Sequence, residues 1–261
     1  MQAKSKNFLD RYTKKVYYED QLLRSCRARV VKVTGNAIEL DQTVAFPEGG
    51  GQEGDHGTIT TDDGLSIPFI DTQKIYGRPL RLQDFPGINV ETLIHHIVAE
   101  EHVPDLARLA VGSEVHVAID TARRERLSIH HTAAHLIFIG VELVRPELIP
   151  NVKGCHITEV GARFDFLVDE RFTADQVQEI AQAANRLVAE RADIDQYPHA
   201  EEPEAWYWKL GQHVMPCGGT HLSKTTPVGE IVAQRKNLGK GMERIRLTLT
   251  APAVDTTKYH D

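Results

Sequence analysis

Two pairs of residues whose side chains are typical metal ligands constrain the fold of this chain most strongly. His131 and His135 lie four apart in the segment HTAAH, and Cys217 and His221 lie four apart in CGGTH. On a helix, the first pair would share one face, with Cβ atoms about 5–6 Å apart. The second pair can converge through its two-glycine turn. Three imidazoles and one thiolate are a zinc-like ligand set, so the pattern predicts a Zn²⁺ site where the two segments meet.

Each pair also has a simpler explanation when it is taken alone. Histidines spaced four apart are often hydrogen-bonded core or surface residues, Cys217 can be a small buried hydrophobic residue, and His221 can be a loop histidine. Cys155 and His156 make a poor alternative pair, because neighbours on a strand point to opposite faces. Thr132 occupies the place of the glutamate in an HExxH protease motif, which excludes that class of zinc enzyme.

Composition narrows the class of protein further. The 261 residues suffice for one large domain or two ordinary ones. The net charge of −7 argues mildly against nucleic-acid binding, but residues 224–246 carry six basic residues against two acidic ones. No run of about eighteen apolar residues and no apolar secretory leader is present, so we expect no membrane partner. Three cysteines are too few for a disulfide framework, which predicts a reducing cytoplasmic location.

Short β-rich segments separated by glycine and asparagine turns occupy residues 15–75 and favour a small barrel or curled sheet. They include KKVYYED, RARVVKV, AIELDQ and LSIPFID. The segment ETLIHHIVAEEH, residues 91–102, is expected to form a short helix whose histidines (His95, His96 and His102) lie on a solvated face. Alternation over residues 111–120 predicts a closing strand. We therefore predict a first domain over residues 1–120.

The second half mixes helices and strands. HTAAHLIFIGVELV predicts a buried helix, and alternation over residues 160–168 predicts a strand. A capping box at residues 173–176 opens a further helix, and strands are expected over residues 231–236 and 243–250. The prediction for the whole chain is an α+β fold, in which an N-terminal small β-barrel is followed by an α/β two-layer sandwich over residues 121–261.

Several motifs in the same order resemble those of a known family. HTAAH, RFDF, CGGTH and KNLGKGMERIRL, which begin at residues 131, 163, 217 and 236, resemble the editing domain of alanyl-tRNA synthetases. PEGGGQEGDHG at 47–57 and DTQK at 71–74 resemble the free-standing editing proteins of the AlaX group. The resemblance runs from about residue 15 to 250, so we expect a stand-alone editor rather than a synthetase.

The resemblance implies an enzyme that hydrolyses the ester between a wrong amino acid, usually serine and sometimes glycine, and alanine tRNA. Mischarged alanine tRNA is then the expected partner, with no obligate protein partner. Such editing is needed because small apolar pockets reject close analogues only about 10–200-fold. The threonyl-tRNA synthetase editing domain shares the ligand scheme, but its cysteine is followed by a segment resembling Arg-Gly-Pro, whereas this chain has Gly218-Gly219-Thr220.

The resemblance also assigns roles to individual residues. It implies that Thr132 contacts the serine hydroxyl, although a helix-packing role with a back-bonded hydroxyl is the alternative. It implies that the glycine motif approaches the editing pocket, although a plain turn in a β-domain is the alternative. It also implies that two basic residues contact tRNA phosphates, although a solvated strand end is the alternative. The residues concerned are Gly49, Gly50, Gly51 and Gln52 for the pocket, and Lys236 and Lys240 for tRNA.

This sequence departs from the family pattern at two places. The glycine motif is usually preceded by two aromatic residues, whereas this chain has Ala45 and Phe46, and His130 adds a titratable group beside the site. Two other functions also remain open. One is a catalytically silent tRNA-binding module with structural zinc, and the other is a zinc hydrolase of a different small ester.

Overall fold

Alternating strands in the first half of the chain close into a six-stranded antiparallel barrel. The structure is a computed structural model, and it describes residues 11–261, so the first ten residues of the predicted domain 1–120 lie outside the described part. In chain order the strands are β1 (Lys14–Lys15), β2 (Ser25–Thr34), β3 (Ala37–Leu40), β4 (Gln42–Thr43), β5 (Gly57–Thr61), β6 (Ser66–Ile75), β7 (Arg78–Pro79), β8 (Asn89–Val90), β9 (Leu93–Val98) and β10 (Glu114–Ile119).

The barrel closes in the order β10-β2-β3-β9-β6-β5, and β5 pairs back onto β10. The predicted closing strand is therefore confirmed. Strands β1 and β4 form a short parallel pair, and β7 and β8 a short antiparallel pair. Of the predicted strand KKVYYED, only the first two residues are extended, because residues Val16–Tyr18 form a 3₁₀ turn that places Tyr17 in the core beside Phe46.

The helix predicted over residues 91–102 is wrong. Residues Leu93–Val98 form β9, which pairs with β3 and β6, and a 3₁₀ helix follows over Glu100–Arg108. The solvated face predicted for the histidines is also wrong for His96, which is fully buried and contacts Thr43 Oγ1 at 2.8 Å and the Ile38 carbonyl at 3.1 Å. Burial lowers the pKa of His96 to about 4, so the ring is neutral inside the barrel.

The second half is a four-stranded sheet covered by two helices, followed by a small separate sheet. The main sheet has the order β11-β12-β17-β16, and helices α1 and α2 pack on its apolar face in one continuous core. The elements are α1 (Thr121–Val144), β11 (Val152–Thr158), β12 (Gly161–Leu167), α2 (Ala174–Ala189), β13 (Asp195–Pro198), β14 (Trp206–Leu210), β15 (His213–Pro216), β16 (Glu230–Gly239) and β17 (Met242–Thr250), with 3₁₀ turns at Pro146–Asn151 and Thr226–Val228. The predicted α+β fold is confirmed.

Helix α1 is the central element of this second core. By length and composition it is apolar enough to cross a membrane, but 78% of its apolar 18-residue stretch is buried inside the protein, as expected for a core helix. The helix begins ten residues before His131, because Asp120 caps it by accepting a hydrogen bond from the backbone N–H of Arg123. The capping box that opens α2 at Thr173 and Gln176 is confirmed.

The first turn of α1 joins the two halves through buried charges. Arg124 forms a fully buried ion pair with Asp55, and it also donates to the carbonyls of Gln21 and Val44. Asp55 in turn accepts from the backbone N–H of Phe46 at 2.7 Å. We propose the junction between β10 and α1, residues 120–121, as the domain boundary, since the connection there is direct and the contact across it is polar.

Replacing Arg124 with methionine is expected to destabilise the fold by about 3–5 kcal/mol, because Asp55 would be left as an unpaired buried charge. The control is Arg108→Met, which breaks the exposed pair with Asp63 and should cost no more than about 1 kcal/mol. Urea unfolding measures both. Adding Asp55→Asn to Arg124→Met should restore part of the stability, and equal losses for the two single variants would contradict the assignment.

Candidate functional site

The four predicted metal ligands come together at one point. His131 and His135 lie on the buried face of α1, and Cys217 and His221 lie in the loop that follows β15. Their ligand atoms all lie within 4.8 Å of one another. The Cys217 sulfur is 3.5 Å from Nε2 of His131 and 3.3 Å from Nε2 of His221. Tetrahedral zinc with bonds of about 2.0 Å to nitrogen and 2.3 Å to sulfur places its ligand atoms at similar separations, so the donor set fits such an ion.

The glycines of CGGTH are required by close packing of this loop on α1 and on the barrel. A Cβ atom at Gly219 would lie 2.5 Å from Nδ1 of His131, and one at Gly218 would lie 2.8 Å from the Tyr18 hydroxyl. Only residues without a side chain allow the loop to approach this closely. The Gly-Gly pair therefore brings Cys217 and His221 up to the helix.

Each histidine of the cluster uses its Nδ1 atom for a contact away from the cluster centre. Nδ1 of His131 donates to Oε1 of Gln52 at 2.7 Å, and Nδ1 of His135 lies 3.2 Å from the Met215 sulfur. Nδ1 of His221 lies 3.4 Å from Oγ1 of Thr132. This arrangement leaves the Nε2 atoms available as ligands and fixes the ring orientations, as outer partners do in metal sites.

Burial sets the protonation of the cluster. It holds the pKa values of His131 and His221 well below the usual histidine range and lowers that of His135 to about 3. Three neutral imidazoles are the form that binds a metal. Burial also raises the pKa of the Cys217 thiol to about 11, so the thiolate needs a cation beside it, and metal binding would release that proton.

Gln52 connects the glycine motif to the cluster. It is fully buried, and besides His131 it accepts from the backbone N–H of Thr220 at 3.1 Å and donates to the Thr220 hydroxyl at 2.9 Å. Gly51 has φ +87°, and a Cβ there would lie 2.8 Å from the Cys155 carbonyl oxygen, so a side chain is excluded. Gly49 and Gly50 line the cleft beside the cluster. The predicted approach of this motif to the site is thus seen in the geometry, and the function of these residues stays a prediction.

Thr132 is buried against the cysteine loop rather than bonded back along its own helix. Its hydroxyl accepts from the backbone N–H of Leu222 at 3.1 Å, in addition to its contact with His221. The side chain therefore ties α1 to the loop. Its predicted contact with a substrate hydroxyl stays a prediction, and Thr132 is absent from the residues that line the cleft.

A cleft of about 760 Å³ opens between the barrel and the second half, with His131, His135 and Cys217 in its wall. This volume is typical of small-molecule sites. Apolar and aromatic side chains form most of the remaining wall, among them Tyr18, Phe46, Phe138, Phe164 and Trp206.

Lys236 and Lys240 lie apart from the cluster. Lys236 is exposed on β16, and Lys240 is exposed in the turn between β16 and β17. Neither lines the cleft. Across the strands, Lys236 lies opposite Arg244, and on the same outward face Arg246 lies opposite Arg163. These cations form one basic surface of the sheet.

Sequence reasoning missed several residues of the cleft wall. Met215, Trp206 and Lys74 all line the cleft, but none was assigned a role. Lys74 stands in the quoted DTQK motif. The sequence does contain a signal for the hairpin β14–β15. Gly211, which takes φ +56° in the turn, stands in the middle of residues 206–216, whose side chains alternate between the two faces of the hairpin.

Gln52→Ala should lower zinc affinity about 10–100-fold, because His131 would lose the partner that fixes its ring orientation. Competition with a chromophoric chelator measures this affinity directly. Gln73→Ala is the matched control, since Gln73 is an exposed glutamine on strand β6 whose side chain donates to Asp71. Equal affinities for the two folded variants would show that Gln52 does not orient a ligand.

Comparison with known proteins finds relatives among the alanine–tRNA ligases and the alanyl-tRNA editing proteins. No family model matches it. The chain is 33% identical over 238 residues to alanine–tRNA ligase of Sulfurisphaera tokodaii, covering 84% of this chain and 24% of the ligase. It is 31% identical over 277 residues to the ligase of Methanosphaera stadtmanae, covering 95% of this chain and 28% of the ligase. The chain thus spans about a quarter of the length of these ligases.

One relative has nearly the same extent as this chain. The alanyl-tRNA editing protein AlaX-M of Pyrococcus horikoshii is 29% identical over 239 residues, which are 91% of this chain and 98% of that protein. The resemblance noted in the sequence motifs is confirmed by this match. The chain is therefore a homologue of the free-standing alanyl-tRNA editing protein AlaX-M and of one segment of the alanine–tRNA ligases.

Proposed function

We propose that this protein is an aminoacyl-tRNA deacylase that edits mischarged alanine tRNA. Its main proposed substrate is Ser-tRNA(Ala), and Gly-tRNA(Ala) is a further one. The single observation that carries the proposal is the buried cluster of three histidines and one cysteine, of which His131, His135 and Cys217 line the cleft. The homology of this chain to AlaX-M supports the same proposal. Both the amino acid and the tRNA are part of the proposal.

Zn²⁺ is the proposed ion, held by His131, His135, Cys217 and His221, since imidazole and thiolate together favour it. When bound, it would supply Lewis-acid polarisation or hold a polar group of the substrate. In the reaction, water adds to the ester carbonyl carbon, the bond to the ribose oxygen breaks, and that oxygen takes up a proton. The products are the free amino acid and tRNA.

The residues of this chain would orient the ester and limit access of water. Phe138 and Phe164 form an apolar wall of the cleft, so an ester bound there is shielded from bulk solvent. Gln52 keeps the His131 ring in place from the barrel side. Because these groups are fixed by packing and hydrogen bonds before substrate arrives, little reorganisation is required on binding.

Selection of serine over alanine needs a partner for the serine hydroxyl. With the proton of His221 on Nδ1, the Thr132 oxygen accepts from both His221 and Leu222, and its own proton is left to donate. A polar group that is satisfied only by a hydroxyl-bearing substrate discriminates against alanine, because alanine leaves it unpaired.

The principal test compares deacylation of Ser-tRNA(Ala), Gly-tRNA(Ala), Ala-tRNA(Ala) and Ser-tRNA(Ser) by the zinc-loaded protein. Rapid release of serine from alanine tRNA only, abolished in the folded Cys217→Ala/His221→Ala variant, is the expected result. Tight tRNA binding without turnover would instead indicate a binding module. Turnover of small esters that needs no tRNA would indicate a different hydrolase.

Thr132→Val is expected to lower kcat/KM for Ser-tRNA(Ala) roughly 10–100-fold while glycine release changes little, because only serine uses the hydroxyl. Thr225→Val is the matched control, since Thr225 is a fully buried threonine whose hydroxyl donates to the Leu187 carbonyl. Zinc content is measured in both variants. Equal losses for serine and glycine would assign Thr132 to support of the loop alone.

The proposed tRNA contact is the basic outward face of the sheet, which carries Arg163, Lys236, Arg244 and Arg246, with Lys240 at the end of the hairpin. Asp165, an acidic residue on the same face, is paired with Arg163 and Arg244. Phosphates are the groups that such a surface would bind.

A cytoplasmic location stays our expectation, in keeping with three free cysteines.

Lys236→Gln combined with Lys240→Gln should weaken tRNA binding and reduce the slope of log affinity against log salt by about 1 for each lost phosphate contact. Lys32→Gln, an exposed lysine on the barrel strand β2, is the control. A salt titration of binding to uncharged alanine tRNA provides the measurement. An unchanged slope in the double variant would place the tRNA elsewhere.

A further inference from the structure

Lys74 extends into the cleft from the barrel side. It lies near the end of β6, opposite Ile94, and lines the cleft together with Gly49. A Cβ atom at position 49 would lie 2.6 Å from Nζ of Lys74 and 3.0 Å from Cε. The absence of a side chain at Gly49 therefore provides the space that the lysine head occupies. The glycine motif is held beside β6 because the backbone N–H of Glu48 donates to the Thr72 carbonyl at 2.7 Å.

The ammonium group of Lys74 has no carboxylate within 4.0 Å among residues 11–261. The nearby Glu204 is paired with the buried Lys15 at 2.8 Å and also accepts from the backbone N–H of Glu91. Of the other carboxylates in the cleft wall, Asp84 accepts from the Tyr207 hydroxyl and Glu142 faces His213. Lys74 is thus a cation in the wall of the cleft without a close ion-pair partner in the described chain, and Glu204 and Cys217 act on its charge only from farther away.

The surroundings of Lys74 favour an anion. Partial desolvation by the surrounding protein and the positive charge of Lys15 lower the pKa of Lys74. Its side chain nevertheless keeps contact with solvent in the cleft. A bound anion would offset both effects. The aminoacyl ester itself carries no negative charge, whereas the nucleoside to which it is attached carries a 5′ phosphodiester.

We propose that Lys74 binds the 3′-terminal phosphodiester of the acylated tRNA and so positions the ester at the cluster. The inference rests on the proposed function. A nucleoside whose ester faces the cluster presents its phosphate away from the cluster, toward the remaining cleft wall. Part of that wall is the stacked pair of Tyr18 and Trp206, with ring centroids 5.3 Å apart and planes inclined by 12°, which offers a surface for the terminal base.

The first experiment compares two substrates that differ in the phosphate. For Ser-tRNA(Ala), Lys74→Gln is expected to lower kcat/KM about 10-fold, mainly through KM, and to reduce the salt slope by about 1. For seryl-adenosine, which has no phosphate, the same variant should match the native protein. Lys32→Gln should change neither substrate. An equal loss on both substrates would overturn the proposal by placing Lys74 at the reacting ester, and no loss on tRNA would overturn it as well.

A binding experiment separates this inference from the proposed activity. The probe is an uncharged acceptor-stem hairpin ending in CCA, compared with the same hairpin carrying a neutral methylphosphonate at its last linkage. The native protein should bind the modified hairpin about 10-fold more weakly, and Lys74→Gln should bind both equally. Equal binding of the two hairpins by the native protein, or no binding of either, would overturn the proposal. The expected pattern without deacylation would instead refute the proposed activity alone.

Gly49→Ala provides a second, independent variant. The new methyl group would displace the flexible end of Lys74 while the lysine itself is retained. The expected result on Ser-tRNA(Ala) is a smaller loss of kcat/KM than in Lys74→Gln, together with a smaller salt slope. A loss of kcat/KM with an unchanged salt slope would contradict a phosphate contact made by Lys74.

Discussion

The buried ion pair between Arg124 and Asp55 is the interaction on which the site depends. Both side chains are almost fully removed from solvent, and each has further hydrogen bonds to backbone groups. The preceding residue, Arg123, binds Glu53 and the Gly54 carbonyl. The chain segment after the glycine motif is therefore held against the first turn of α1. Such a pair contributes little net stability, but breaking it is costly, so it fixes one docking arrangement.

This docking determines where the glycine motif meets the ligand helix. Because Glu53 and Asp55 are held near the start of α1, Gln52 reaches His131, seven residues further along the helix from Arg124. Gln52 also binds Thr220, which lies between the two ligands of the cysteine loop. One amide side chain thus contacts both ligand segments. The barrel is consequently part of the candidate metal site, although all four proposed ligands come from the second half of the chain.

The local patterns predicted much of this arrangement. The buried helix α1, the capping box of α2 and the alternating barrel strands are short-range features, and they are confirmed. The helix predicted over residues 91–102 is wrong because pairing with two distant strands holds Leu93–Val98 in an extended conformation. The roles of Gln52 and Met215 as histidine partners, and of Lys74 in the cleft, depend on which segments pack together. Such contacts between distant segments leave no periodic signal in the sequence.

The acidic net charge of −7 is compatible with binding of an anionic partner because the charges are unevenly distributed over the fold. Asp55, Glu125 and Glu243 are buried in ion pairs with Arg124, Lys258 and Arg235. Asp165 is shared by two arginines on the basic face of the sheet. Lys74 and Lys236, in contrast, have no carboxylate within 4.0 Å in the described chain. Net charge therefore describes the protein as a whole, whereas a phosphate approaching the cleft or the sheet meets local positive charge.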